Sequence, residues 1–244
     1  MTEQEWDGCN DPEAMLEFLE WNASDRKLRL LACACCRHLL GQVSVDSWGR
    51  KAVDVAELFA DGKASPQDLQ DAAAAATSGA TAGLAGASQS AGLACGSAAS
   101  PKGGSHAVYY ALAMTGSAVR EYAAVIVPAG DDHPPFVVGG EEALTKERWV
   151  QAALVRDLLG NPFRPVAVDP AWLAWHGGAV KSLAEAVYEE RELPSGHLDA
   201  ARLAVLADML EEAGCNDARL LGHLRGPGPH VRGCWVVDLL LGKS

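Results

Sequence analysis

The chain has no run of strongly apolar residues that would cross a bilayer, which takes about 20 of them. Its longest charge-free segment, Ala72 to Ser100, is mainly Ala, Gly, Ser and Thr, and only Leu84 and Leu93 are strongly hydrophobic. The other apolar stretch, His106 to Ala118, stops short at Arg120. Basic residues are scarce: 20 Lys and Arg face 32 Asp and Glu, a formal net charge of −12. Duplex binding needs clustered cations to displace counterions, so nucleic acid is not the expected partner. An anionic membrane surface is disfavoured on the same ground. No G-x-S-x-G, H-E-x-x-H or P-loop occurs, so no known nucleophile, metalloprotease or nucleotide motif points to catalysis. The opening "MTEQEWDGCNDPE" is acidic where a secretory signal is basic. Together with an odd count of seven cysteines, this leads us to expect free thiols and a cytoplasmic location.

What is present is a globular composition. Hydrophobic residues make up 49% and charged residues 21% of 244 positions, enough for one large or two small cores. Helix signals recur. Asp11-Pro12 and Asp169-Pro170 set a cap and a first helical residue, and Ser24 caps the next apolar stripe. Leu28, Leu31, Cys35 and Leu39 form that stripe, and Leu30, Cys33 and Ala34 widen it until the helix is apolar nearly all round. Trp48, Ala52, Val55, Ala56 and Phe59 define a helix that stops at Gly62. Ser65, Pro66 and Asp68 then start its hairpin partner.

Residues 78 to 104 carry seven glycines among Ala and Ser. We expect a low-complexity linker, because each helical Gly costs about 1 kcal/mol against Ala. Close helix packing through small residues, or a mobile lid, is the alternative. Beyond it, Ala107, Tyr110, Ala111, Met114, Ala118, Tyr122 and Val125 share a helical face, and "PAGDDHPPFVVGGEE" reads as a loop. Later helices carry Val180, Leu183 and Val187, then Leu203, Leu206 and Leu210, then Leu220 and Leu224 after an Asn216 cap. The end, "RGPGPHVRGCWVVDLLLGKS", reads as a helix from Pro229 that closes a core, with a strand over "CWVVDLLL" as the alternative. The expected fold is mainly α: stacked helical hairpins or an irregular bundle without substantial sheet. The expected regions are 1–77, the low-complexity 78–104, and a helical 105–244 packing with the N-terminal helices.

Two sets of residues carry candidate chemistry. Cys33 and Cys36 form a C-x-x-C inside a predicted helix, and His230 and Cys234 are spaced i, i+4; together they supply the four ligands of a possible zinc site. Read blandly, the cysteines are small buried core residues. Arg164, Arg225, His230 and Arg232 rim the C-terminal segment and are candidates for holding an anion. Read blandly, Arg225 and Arg232 pair with Asp238 or with the acidic "EER" and "LEE" faces. No catalytic residue is assigned. The aromatic set Trp149, Phe163, Trp172, Trp175 and Trp235 reads as core. The carboxylate pairs Glu189-Glu190 and Glu211-Glu212 read as solvated.

"DPEAMLEFLEWNASDRKLRLLACACCRHLL", "LLGNPFRPVAVDPAWLAWHGGAVKSLAEAVYEER" and "LADMLEEAGCNDARLLGHLRGPGPHVRGCWVVDLLLGK" resemble the two ends of a large bacterial paralogous family with no assigned activity. "LAVLADMLEEAGCND" is also similar to the "LADWLEE-G" signature of repeat-companion domains, which accompany other modules in large bacterial proteins. The resemblance implies no catalytic residue. With the missing motifs, it leads us to expect a non-enzymatic helical interaction or accessory module with a protein partner. A small zinc protein is the alternative, and an enzyme with Arg232, His230 and an acid in one cleft is a second one.

Overall fold

Short polar caps decide where the helices begin. In a computed structural model, which describes residues 1–19, 23–43, 45–82, 86–127 and 136–243, Asp11 accepts from the amides of Glu13 and Ala14 at 3.1 and 3.2 Å. Ser65 and Asp68 form a reciprocal capping box. The elements in chain order are α1 (Glu3–Gly8), α2 (Pro12–Phe18), α3 (Asp25–Leu40), α4 (Ser47–Ala60), α5 (Pro66–Thr81), α6 (Ala87–Ala98) and α7 (Gly104–Ala123). Then come β1 (Val125–Val127), β2 (Phe136–Val138), α8 (Gly140–Leu159), α9 (Pro170–Ala174) and a 3₁₀ turn (Trp175–Gly177). The chain ends in α10 (Ala179–Glu189), α11 (Ala200–Glu212), α12 (Ala218–Arg225) and α13 (Trp235–Leu241). The fold is mainly α, as the sequence implies. No described helix is long and apolar enough to cross a membrane.

The chain divides into two compact units at places other than 77 and 104. A central unit spans Asn10–Ala152, and a terminal unit joins Met1–Cys9 to Ala153–Ser244. The helix α8 begins in the first and ends in the second.

In the central unit, consecutive helices from α3 to α7 pack on one another, and α3 also packs on α6 and α7. Here the expected linker is corrected. Residues 78 to 82 extend α5 and its cap, and α6 is a helix whose Ala91, Ala94, Cys95 and Ala98 are fully buried; residues 83–85 lie outside the described ones. Small side chains let backbones meet. A Cβ on Gly104 would sit 2.4 Å from the Asp25 carbonyl oxygen and 2.9 Å from Leu28 Cβ. Close approach outweighs the propensity cost of each glycine, because it buries neighbouring surface on both sides. The thin core is tied by polar anchors. Arg29 is buried and donates to the carbonyls of Ala98 and Ser100 at 3.1 and 2.9 Å, holding the C-terminus of α6. Arg37 makes a bidentate pair with Glu57 at 2.8 and 2.6 Å.

Three further expectations change. Trp48, Tyr110 and Tyr122, placed by periodicity on buried faces, are exposed. Val125 is not the end of α7: β1 and β2 form an antiparallel pair with Val125 opposite Val138. The expected loop therefore contains a strand and the start of α8, and residues 128–135 lie outside the described ones.

In the terminal unit, α10, α11, α12 and α13 surround one core. Val180, Val187, Leu203, Leu206, Leu210, Leu220 and Leu224 meet Val236, Val237 and Leu240 there. The C-terminal segment thus closes a core, but its helix starts at Trp235 rather than Pro229. Asp217, not Asn216, caps α12, accepting from Arg219 and Leu220 amides at 2.9 and 3.2 Å. Trp172, Trp175 and Trp235 pack partly buried on this core, whereas Trp149 and Phe163 are exposed. Arg156, near the end of α8, holds α1 by donating to the carbonyls of Trp6, at 3.0 Å, and Cys9.

Leu240→Ala is expected to destabilise the terminal unit by about 2–5 kcal/mol in urea unfolding, the cost of a cavity at a fully buried leucine. In the central unit, burial pushes the Glu147 carboxyl up to about 7, although the Gln151 amide bonds to it at 3.0 Å. The folded state then holds a proton that the unfolded state has lost. This contribution is complete below the unfolded pKa and disappears as pH rises through about 7. Glu147→Gln should therefore raise stability at about pH 8 and flatten the loss between about pH 5 and 8, by a few kcal/mol at most. Parallel pH profiles for the two proteins would contradict the assignment.

Candidate metal centre

The terminal unit brings four donor groups to one point. Asp157 lies in the last turns of α8 and His223 on α12; His230 and Cys234 lie on the loop between α12 and α13. One donor atom from each falls within 4.8 Å of every other. His230 and Cys234 belong to the set expected from the sequence, but not as i, i+4 positions of a helix: Cys234 is the residue before α13, and His230 lies in the extended stretch preceding it.

The loop is held in place by its backbone. The Leu198 amide donates to the His230 carbonyl at 2.8 Å, and Val231 pairs with His197 as an isolated antiparallel bridge. Gly228 has φ +85°, and a Cβ there would lie 2.9 Å from the His230 nitrogen. Gly228 therefore takes a backbone conformation that favours glycine, tight against His230.

Asp157 is the hub. Its Oδ2 accepts from the Val231 amide at 3.0 Å, and its Oδ1 lies 3.0 Å from His230 Nδ1 and 3.1 Å from His223 Nε2. His223 Nε2 is also 3.2 Å from Cys234 Sγ. Side-chain exposure is 2% for Asp157, 5% for His230 and 20% for His223. Burial acts to raise the Asp157 pKa, but the hydrogen bonds and charges of His223 and His230 outweigh it and hold the carboxyl below its usual value. Burial acts to lower the His230 pKa, and the bond to Asp157 outweighs that too, so the imidazole is shifted upward.

The donor pattern explains those shifts. His230 Nε2 faces the Gly226 carbonyl at 3.3 Å. A carbonyl only accepts, so Nε2 carries the hydrogen and the neutral ring turns a lone pair on Nδ1 toward the carboxylate. Two lone pairs at 3.0 Å need a cation between them, either a proton on Nδ1 or a metal ion. His223 Nε2 likewise faces both a carboxylate oxygen and a sulfur. A tetrahedral zinc ion with ordinary bond lengths sets N···O edges at about 3.3 Å and N···S edges at about 3.5 Å. Three of the six donor–donor edges, at 3.0 to 3.2 Å, are a few tenths of an ångström short of these values, and the other three lie within 4.8 Å. The Gly226 contact is the outer hydrogen bond that a ligating histidine uses to fix its tautomer.

The other candidates are elsewhere. Cys33 and Cys36 lie in the central unit, inside α3, with Cys33 Sγ 3.9 Å from the Val53 carbonyl. A hydrogen bond with Cys95, then burial, raises the Cys36 pKa well above its usual value, which keeps the thiol protonated. None of the seven cysteines is in a disulfide. Arg164 pairs with Glu3 at 2.9 Å, and Arg225 pairs with Asp208 and Glu211 at 2.7 and 2.5 Å. Arg232 reaches Glu189 at 3.3 Å and lies over the Tyr188 ring, 4.5 Å from its centroid. His230 and an acid do converge, but the Arg232 cation that an enzyme reading needs beside them is turned onto Glu189 and Tyr188. Asp157 and His223 were missed because neither belongs to a recognised motif. The spacing His223-x6-His230-x3-Cys234 was the available signal.

No family model, curated protein or solved structure matches the chain. The site therefore stands on its own geometry. Asp157→Ala leaves the Val231 amide and His230 without their buried acceptor and should cost about 3–5 kcal/mol of stability in chelator-treated protein. A change within about 0.5 kcal/mol would show that the carboxylate is not the anchor.

Proposed function

We propose that the protein is a helical accessory module whose terminal unit binds one zinc ion through Asp157, His223, His230 and Cys234. The convergence of these four donor atoms within 4.8 Å carries the reading. Two imidazoles, a thiol and a carboxylate are a donor set that suits zinc, and hard cations such as magnesium or calcium prefer oxygen alone. The ion's role is structural. It links the end of α8, α12 and the loop entering α13, so its binding energy becomes folding energy of this unit. Metal at about 100 times its dissociation constant would add about 2.7 kcal/mol. The missing catalytic motifs and the family resemblance favour a partner-binding module over an enzyme, and the partner expected is a protein.

Native mass spectrometry of gently purified protein tests this reading. One zinc per chain is expected, lost in His230→Ala and in Cys234→Ser and retained in Cys33→Ser and Cys36→Ser. A metal-free mass that does not change on adding zinc would end the proposal.

A further inference from the structure

In the central unit, the hairpin of α4 and α5 carries an uncovered apolar stripe. Trp48, Lys51, Val55 and Leu58 are spaced i, i+3, i+7 and i+10 on α4, so they share one face over about 15 Å of helix. Trp48 is 50% and Leu58 40% exposed, and Val55 is half-buried. On α5, Asp68, Asp71, Ala72 and Ala75 recur at i, i+3, i+4 and i+7. A groove of about 190 Å³ runs between the two rows, with Trp48, Lys51 and Val55 along one side and these four residues along the other.

The indole leans on α5. A Cβ on Gly79 would meet Trp48 Cδ1 at 3.5 Å and Asp46 Oδ2 at 2.5 Å. A tryptophan seated in this way, with half its surface open, is the residue type that most often anchors a protein interface. The rim is acidic. Asp68 accepts from Ser65 and Asp71 from the Gln67 amide at 2.8 Å, and among the described residues neither carboxylate has a cationic partner. Asp46, beside the indole, accepts from the Gly49 amide at 2.8 Å. One cation stands among these three carboxylates: Lys51, whose ammonium is 6.0 Å from the Trp48 ring centroid. The net charge of −12 favours the same kind of partner at long range.

We propose that this groove docks an amphipathic helix of a protein partner. Its apolar stripe would lie on Trp48, Val55 and Leu58, and arginine or lysine beside that stripe would face Asp68 and Asp71. The inference rests on the partner-binding part of the reading above and is independent of the metal. A helix laid along the groove of a hairpin covers both rows at once, and Ala72 and Ala75 leave room for its side chains. Arginine suits the rim best, because a guanidinium pairs with a carboxylate through two N–H donors and also stacks on an aromatic face.

The experiment uses the full chain and two labelled synthetic helical peptides. Both carry the same leucine stripe in an alanine-rich background, one flanked by arginine and the other by glutamate. Binding is read by fluorescence anisotropy at about 0.15 M salt, where long-range attraction is screened. The arginine peptide is expected to bind saturably, and the glutamate peptide about tenfold more weakly or less. Trp48→Ala should weaken the arginine peptide about thirtyfold, the loss of an anchor. Asp68→Asn with Asp71→Asn should weaken it about tenfold, the loss of two rim ion pairs. Asp68 also caps α5, so Asp71→Asn alone, at about threefold, covers the case in which the double variant unfolds. Glu185→Gln with Glu212→Gln removes the same charge from the terminal unit and should leave binding unchanged. An equal loss there would show general attraction to an acidic chain and overturn the inference. Binding that Trp48→Ala leaves unchanged would also overturn it and keep the partner-binding reading. No saturable binding of either peptide would overturn both. A dimer of the free protein that Trp48→Ala dissolves, read by sedimentation, would give the groove to a second copy of the chain and overturn the proposed partner.

Discussion

A negative charge inside the terminal unit sets the terms for everything around it. Asp157 is almost wholly shielded from solvent, yet its pKa stays below the ordinary carboxylate value. An ionised carboxylate in such a place is tolerated only when hydrogen-bonded and paired, and its isolated burial would cost more than the unit's net stability. Its partners are therefore requirements of the fold. The Val231 amide fixes the loop's height, His230 fixes its inward turn, and Gly228 lets the chain fold back tightly enough to deliver both. The closing helix α13 starts only after this loop is set, with the Asp238 amide donating to the Cys234 carbonyl at 2.9 Å as its first turn.

The central unit handles buried charge differently. Its interior combines leucines of α3 with many Ala, Gly and Cys residues, so the helices approach closely. Side-chain shape alone discriminates poorly among such smooth surfaces. Arg29 and Arg37 supply the missing register: one grips the carbonyl end of α6, and the other locks α3 to α4 through Glu57. Among the described residues, the cation nearest Glu147 is His38, whose Nε2 stands 3.4 Å away, and burial pushes the carboxyl up to about 7. Both units accept polar groups inside, and each group's state follows from whether a partner is close enough to offset desolvation.

Helix starts were legible in the sequence because a cap is a local event. Asp11, Ser24, Ser65 and Asp169 accept from amides no more than three residues away, and nothing distant overrides them. What escaped was decided by distant residues. Nothing near Gly104 announces that α3 will lie against it, so glycine-rich sequence read as loose chain where it is the condition for tight packing. Trp48 and Tyr122 followed the helical period but fell on faces that no neighbour covers. The Val125–Val138 pair joins two segments, neither of which alternates enough to mark a strand. In the candidate site, His230 and Cys234 stood out because they sit in an unusual stretch, whereas Asp157 and His223 belong to ordinary amphipathic helices. Cys33 and Cys36 attracted a ligand role by spacing, yet spacing cannot report that a thiol is sealed in a core and kept protonated.

A proton and a metal ion compete for the same space, and the chemistry of the fourth donor separates them. One proton on His230 Nδ1 satisfies the contact with Asp157, and the loop would then hold without any metal. That solution leaves the Cys234 sulfur as a weak hydrogen-bond partner of His223 Nε2 at 3.2 Å. A neutral thiol is a weak hydrogen-bond partner, and a buried cysteine used only for packing can be placed with its sulfur against carbon, as small core residues commonly are. Here the sulfur points at an imidazole nitrogen 3.2 Å away, beside a carboxylate oxygen that the same nitrogen contacts at 3.1 Å. In the zinc reading proposed above, a divalent cation would turn each of those contacts into a bond and so use all four side chains.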